Sequence, residues 1–396
     1  MHCLTSSTAP IMPNIQPFSV SFNQAALDDL TARLFDARWA EPETVDNWTQ
    51  GVPQQYLREI CDYWANGYDF RRLENRLNPY PQFVTKLDEL DIHFLHIRSA
   101  VENAKPLLMT HGWPGSVVEF LKVIEPLTDP EAHGGSADDA FHLVIPSLPG
   151  YGFSAKPTTT GWGIIKIASV WNALMQRLGY DQYYAQGGDW GAGITSEIAE
   201  QNLGNCLGIH INMPAAWPTK KSREKPTKRD TAAFKGARFY RDWDSGYSHQ
   251  QSTRPQSLGY ALNDSPIAQA AWILEKFHAW TDCNGHPENA VSKDELLDNI
   301  TLYWLTASGA SSARLYWESF RHLIKGPEHE IALPAACSIF PKEIVPTPRE
   351  WAAQRYTNIV YWNYLDSGGH FAAFEQPGLF VQELRAAFRA IEKSLE

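Results

Sequence analysis

Cysteine is scarce in this 396-residue chain, and the five that occur are scattered: Cys3, Cys61, Cys206, Cys283 and Cys337. No two form a C-x-x-C pair, so neither a disulfide framework nor a zinc site is legible, and the pattern suits a reducing compartment. Long apolar runs are missing as well; none reaches the roughly 20 residues that a membrane span needs. The first fifteen residues have no basic start followed by an apolar core. No secretion signal or membrane anchor is read there, a cytoplasmic location is expected, and the sequons at Asn47, Asn263 and Asn299 are taken as chance matches. Basic residues are outnumbered, 34 Lys and Arg against 45 Asp and Glu, a net charge of −11. That balance speaks against nucleic acid or an anionic membrane as the main partner. Repeats and low-complexity tracts are absent too.

What is present is globular. Hydrophobic residues make up 43% and charged residues 20%, enough apolar surface to offset the entropy of ordering. Aromatics are abundant, with 15 Trp, 16 Tyr and 18 Phe, which suits aromatic-lined cavities as well as a large core.

Helical spacing of apolar residues runs over 24–38, 53–66 and 69–77. A strand-like alternation follows at 91–97. Short apolar runs at 106–110, 142–146, 183–187 and 207–211 then alternate with helical patterns at 116–127, 164–178 and 192–201. Strands alternating with helices predict an α/β fold with a mostly parallel sheet covered on both faces. Residues 214–330 break the rhythm. They read as a helical insertion, with helices at 266–280, 293–305 and 311–322. Strands return at 336–340 and 358–363, and a last helix runs over 378–394. The basic stretch Lys220–Arg229 reads as a solvated loop.

Sites in such sheets form beyond the carboxyl ends of the strands. After 183–187 comes Gly187-Gly188-Asp189-Trp190-Gly191-Ala192, a small-x-nucleophile-x-small elbow with Asp where a serine hydrolase has Ser. After 106–110 comes His111-Gly112-Trp113-Pro114-Gly115. This loop can aim the Trp113 N–H at the point reached by the Trp190 N–H, and two convergent donors make an oxyanion hole. A cis bond at Trp113-Pro114 fits so tight a turn, and His111 reads as structural. After the last strand comes Gly368-Gly369-His370-Phe371, which puts a base where this architecture carries one. The acid that orients it is read as Glu343, after 336–340; Asp366 is the alternative.

An aspartate nucleophile constrains the chemistry. The carboxylate is ionised at neutral pH and needs no base to attack saturated carbon. The resulting ester has its carbonyl carbon on the enzyme, where water activated by His370 can cleave it. This points to an epoxide or a haloalkane. An epoxide oxygen leaves as an alkoxide and needs a proton donor, and the insertion is rich in tyrosine.

HGWPGS at 111–116, PSLPGYGFS at 146–154, GGDWGA at 187–192, FPKE at 340–343 and GGHFAAFEQP at 368–377 together resemble the microsomal type of epoxide hydrolase, in the soluble form found in fungi. The resemblance spans nearly the whole chain, including YWANGYDFRRLENRLN at 63–78 and the stretch 246–280. It implies the α/β-hydrolase fold, with a helical lid inserted after the sixth strand and an N-terminal wrapping segment. The segments are then 1–90, which packs on core and lid; 91–213, the first part of the core; 214–330, the lid; and 331–396, the second part of the core. Trp39, Trp48 and Trp64 would anchor the first segment.

The resemblance also implies Asp189 as nucleophile, His370 as base and Glu343 as its acid, with lid tyrosines Tyr247 and Tyr316 polarising the epoxide oxygen. Trp317 stands where the family has a basic residue beside the second tyrosine, which leaves Tyr303 as the fallback. The implied reaction turns an apolar or aryl epoxide and water into a vicinal diol. No metal or cofactor is implied, and a homodimer and a role in detoxification or catabolism are. Two rivals are a haloalkane dehalogenase, which would leave the lid tyrosines without purpose, and a hydrolase-fold binding protein without turnover.

Overall fold

The computed structural model describes residues 14–325 and 329–396, the side chains of 323–325 excepted. Cys3 lies outside the described residues; Cys61, Cys206, Cys283 and Cys337 are buried free thiols.

The strands are β1 (Ile15–Phe18), β2 (Gln82–Leu87), β3 (Leu90–Ile97), β4 (Lys105–Thr110), β5 (Phe141–Pro146), β6 (Tyr183–Gly187), β7 (Cys206–Ile211), β8 (Ala335–Ile339) and β9 (Ile359–Tyr364). They form one sheet in the order β1-β2-β3-β5-β4-β6-β7-β8-β9. The pairs from β5 through β9 are parallel, and the three pairs from β1 to β5 are antiparallel. β5 is buried at every residue, as expected of a strand with both faces covered. The fold is thus the α/β-hydrolase fold read from the sequence.

Two strands, β1 and β2, extend the sheet beyond the runs read from periodicity. β2 and β3 form a hairpin in which Leu87 faces Leu90 across Asp88-Glu89. Both turn residues have positive φ, 49° and 66°, the geometry of a two-residue primed turn. Asp-Glu lacks the glycine that normally advertises such a turn, so the signal is silent in the sequence. Because β1 joins the edge, the lid leaves after the seventh strand in chain order, which is the sixth of the strands that follow the N-terminal edge.

The stretch 116–127 also differs from its helical expectation. It is a 3-10 turn, Val117–Phe120, followed by the short helix Ile124–Thr128, since Pro114 and the cap on Ser116 start it tightly. Helices Ile164–Arg177 and Trp190–Gln201 pack on each other, and Pro377–Leu395 packs on β7, β8 and β9.

The lid holds four α-helices that periodicity did not reveal, Lys220–Glu224, Lys228–Phe239, Gly246–Thr253 and Pro255–Asp264, besides Pro266–Trp280, Lys293–Leu305 and Gly309–Lys325. The basic stretch 220–229, expected as a loop, is thus largely helical, its first helix capped by Thr219. Local caps account for several of their starts. Thr227 with Asp230 and Ser292 with Glu295 form capping boxes, and Ser265 caps the helix that opens with Pro266.

The N-terminal helices Gln54–Asn66 and Arg72–Leu77 meet the underside of Lys293–Leu305. Buried Asp298 accepts from Tyr68 Oη (2.7 Å), Arg76 Nη1 (2.7 Å) and Arg72 Nε (3.2 Å). Trp64, fully buried, donates to Thr301 Oγ1 at 2.9 Å. Trp48 stacks on His278 at 4.0 Å, and Trp39 lies under Arg58. Each such ring removes roughly 150–250 Å² from water, worth a few kcal/mol at about 25 cal/mol per Å².

Candidate active site

Asp189 sits between β6 and the helix Trp190–Gln201 with φ 50° and ψ −127°. A non-glycine residue held there is strained, as expected of a nucleophile elbow. The glycines around it answer to close approach. A Cβ on Gly191 would strike the Thr110 carbonyl at the end of β4, and one on Gly112 would overlap the Asp189 carboxylate.

The Trp113 N–H donates to Asp189 Oδ1 at 2.8 Å, and the Trp113-Pro114 bond is cis. The Trp190 N–H, expected as the second donor, forms no hydrogen bond with this carboxylate among the described residues. His111 is structural in its contacts: Leu148 N–H donates to Nε2 (3.2 Å), and Nδ1 lies 3.0 Å from the Gly112 carbonyl. Burial pushes its pKa down to about 4, which leaves a neutral ring with the proton on Nδ1.

His370 faces both carboxylates. Nδ1 is 2.6 Å from Glu343 Oε1, which also accepts from the Ile344 N–H at 2.7 Å. Asp366 is exposed and makes no hydrogen bond to His370, so the structure brings Glu343 rather than Asp366 to the imidazole. Nε2 lies 3.2 Å from Asp189 Oδ2 but out of line for a hydrogen bond. Burial works to lower the imidazole pKa. The carboxylates of Glu343 and Asp189 outweigh it and hold the group well above its ordinary value.

The His370 loop is clasped to the end of the lid helix Pro266–Trp280. The His370 N–H donates to the Trp280 carbonyl (2.8 Å). Glu375 accepts from Asp282 N–H (2.7 Å) and Phe371 N–H (3.0 Å), and Asp282 accepts from Gly368 N–H (3.1 Å).

Both lid tyrosines arrive at this place. Tyr247 stacks on Trp113 with ring centroids 4.9 Å apart. Tyr316 stands edge-on to Trp190 at 4.7 Å and edge-on to Tyr247 at 5.7 Å. Burial and the Asp189 charge push both well above the usual phenol range; Tyr316 adds to the rise at Tyr247, while Tyr247 opposes it at Tyr316. Tyr303, the fallback, spends its hydroxyl on the Gly115 carbonyl at 2.8 Å. Beside it on the same helix, Asn299 donates to the Pro114 carbonyl at 2.7 Å and accepts from Ser116 Oγ at 2.8 Å. The HGWPG loop therefore hangs from the lid helix that the N-terminal segment supports.

Sequence reasoning missed two neighbours. Tyr240 Oη is 3.3 Å from Tyr247 Oη and 3.0 Å from Ser248 Oγ; its i, i+7 spacing from Tyr247 was the available signal. Glu119, a lone acid in the apolar run SVVEFLKVI, lines the cavity with Asp189 and His370.

The chain matches two family models: the epoxide hydrolase N terminus over residues 15–120 and the alpha/beta hydrolase fold over 105–231. A protein of Stigmatella aurantiaca (strain DW4/3-1), provisionally named an epoxide hydrolase, is 53% identical across 95% of this chain and 85% of its own length. Epoxide hydrolase 1 of Sus scrofa is 37% identical across 96% of this chain and 90% of its own. The solved epoxide hydrolase of Aspergillus niger superimposes with a TM-score of 0.87 at 32% identity, covering 96% of this chain and 97% of that one. The elbow, the two-carboxylate setting of the histidine and the N-terminal segment thus occur in a chain that belongs to the epoxide hydrolases of the α/β-hydrolase fold, enzymes that hydrolyse epoxides.

Proposed function

We propose that this enzyme opens epoxides in two steps through an ester on Asp189. The observation that carries the reading is the line Glu343–His370–Asp189, at 2.6 Å and 3.2 Å, with the Trp113 N–H on Oδ1. Oδ1 is engaged, so Oδ2 attacks the epoxide carbon and the C–O bond breaks. The phenols of Tyr247 and Tyr316 hold the departing oxygen, and one gives it a proton. Their raised pKa values keep them protonated, hence able to donate, at neutral pH.

In the second step water attacks the ester carbon of Asp189 and gives a proton to His370 Nε2. Negative charge develops on Oδ1, beside the Trp113 N–H; the Trp190 N–H, at the start of the next helix, is assigned as the second donor. The tetrahedral species collapses with cleavage of the bond from the Asp189 carbon to the alkyl oxygen. The imidazolium protonates that oxygen and the diol leaves. Asp189, now a carboxylic acid, ionises, and its proton returns to His370, which restores the imidazolium of the resting enzyme.

His370 can serve as base because of a change of charge. With Asp189 ionised the imidazole is held protonated. Esterification removes that negative charge, so the pKa falls, the ring gives up its proton to make good the one the tyrosine lost in the first step, and it becomes a base at the moment it is needed.

The walls of the site are aromatic: Trp113, Trp190, Tyr247, Trp280, Tyr316 and Phe371. They support an apolar or aryl epoxide as substrate. The pair of phenols supports an alkoxide rather than a halide as leaving group. Single-turnover mass spectrometry with racemic styrene oxide tests the reading. An adduct on Asp189 that decays to diol is expected, and Asp189→Asn should give neither.

A further inference from the structure

One cavity adjoins the Asp189 carboxylate and His370, with Glu119 in its wall; neither Tyr247 nor Tyr316 lines it. The phenols that the two-step reading sets on the epoxide oxygen thus stand outside this cavity. Two polar atoms from residues of the cavity wall, Thr110 Oγ1 and Gln186 Oε1, are buried without a hydrogen-bond partner in the protein, and a third, His370 Nε2, has only the Asp189 carboxylate, 3.2 Å away and out of line. An orphaned buried polar atom costs about 1–3 kcal/mol. Such atoms on the residues of one small cavity beside a carboxylate and an imidazole suit a site that binds water.

Glu119 faces the same place. It lies on the turn Val117–Phe120 just past the HGWPG loop. Its carboxyl folds back over Gly115, so that a Cβ on that glycine would overlap Oε1. Burial raises its pKa, His370 opposes the rise, Asp189 adds to it, and the group stands at about 8. At neutral pH it is a carboxylic acid, with one donor and one acceptor to offer, and it adds no further negative charge beside Asp189 and Glu343.

We propose that this cavity holds the hydrolytic water and that Glu119 is the positioning residue that turns it toward the ester carbon. The proposal rests on the two-step reading above. One water hydrogen goes to His370 Nε2, and the other is held by the carbonyl oxygen of Glu119. That leaves a lone pair directed at the Asp189 carbon. When the new C–O bond forms, the first proton passes to His370, and the second stays on the added oxygen.

The test separates the two steps. Full-length protein is mixed with styrene oxide in single turnover, and ester and diol are followed by rapid quench and mass spectrometry. Glu119→Met should leave ester formation unchanged and slow its hydrolysis about 10-fold or more, so that ester accumulates. Glu119→Gln, which also offers a donor and an acceptor, should restore most of the hydrolysis rate. Thr110→Val removes another wall group with little change of shape and should slow hydrolysis alone, which covers the case of a Glu119→Met protein that does not fold. Hydrolysis at the wild-type rate in these variants, or an equal slowing of both steps, would overturn the proposal. If wild-type protein itself forms no ester, the assignment of Asp189 fails, and this inference fails with it.

Discussion

Glu343 Oε1 stands 2.6 Å from His370 Nδ1, and each side chain is only 1% exposed. A charge-assisted hydrogen bond shut away from solvent fixes both the tautomer and the aim of the ring. The opposite nitrogen, Nε2, is thereby turned to Asp189.

Glu343→Gln keeps the shape and removes the charge. Ester formation should proceed near its normal rate, while hydrolysis falls by about 10²- to 10⁴-fold, the range seen when the orienting acid of a histidine base is neutralised. Rapid-quench measurement of the two rates decides it. Equal loss in both steps would contradict the assignment of Glu343 to water activation.

The imidazole should titrate differently before and after the first step. In the free enzyme its pKa is raised, so the ring stays protonated as pH climbs through the neutral range. In the ester the Asp189 charge is gone and the pKa drops. Hydrolysis of accumulated ester should therefore rise with pH and level off at a lower pH than that at which His370 titrates in the free enzyme. NMR of labelled histidine gives the second value and single-turnover rates the first; identical values would sink the idea.

Tyr247→Phe and Tyr316→Phe should each slow ester formation by about 10- to 10²-fold, and the double variant by more than either. Ester hydrolysis should change little. Because both phenols are held well above the ordinary range, the alkaline loss of ester formation should fall above pH ~10. A descending limb at neutral pH would exclude them as the donors.

Asp298 accepts from Tyr68, Arg72 and Arg76 while fully buried. Asp298→Ala leaves two cations facing an apolar hole and should cost about 3 kcal/mol, read as a lower denaturant midpoint. Activity should fall as well, since the neighbouring Asn299 and Tyr303 carry the HGWPG loop.

The parts of this protein that were legible in the sequence are those under local constraint. The glycines around Asp189 and Trp113 are demanded by backbone approach, and the inner strands are continuous apolar runs. Both signals survive without knowledge of the fold. The expected cis bond at Trp113-Pro114 and the structural His111 follow from the same tight loop. What escaped was set by distant partners. The β2–β3 hairpin turns on Asp88-Glu89 without a glycine. Lys228–Phe239 and Gly246–Thr253 have weakly segregated faces, as lid helices with contacts on several sides do. Glu119 gains its meaning from residues far along the chain, and no spacing rule names it; Tyr240 had only its i, i+7 spacing from Tyr247 to point to it.

The clasp of Trp280 and Asp282 on the His370 loop has a mechanical corollary. A lid that swung away as one rigid flap would drag the backbone of His370 with it and break the alignment with Glu343. An enzyme so built cannot be wide open and armed at once. Traffic of substrate and diol must then rely on smaller excursions that leave the hinge side of the lid moored, and the size of those excursions becomes the natural limit on how bulky an epoxide the enzyme turns over quickly.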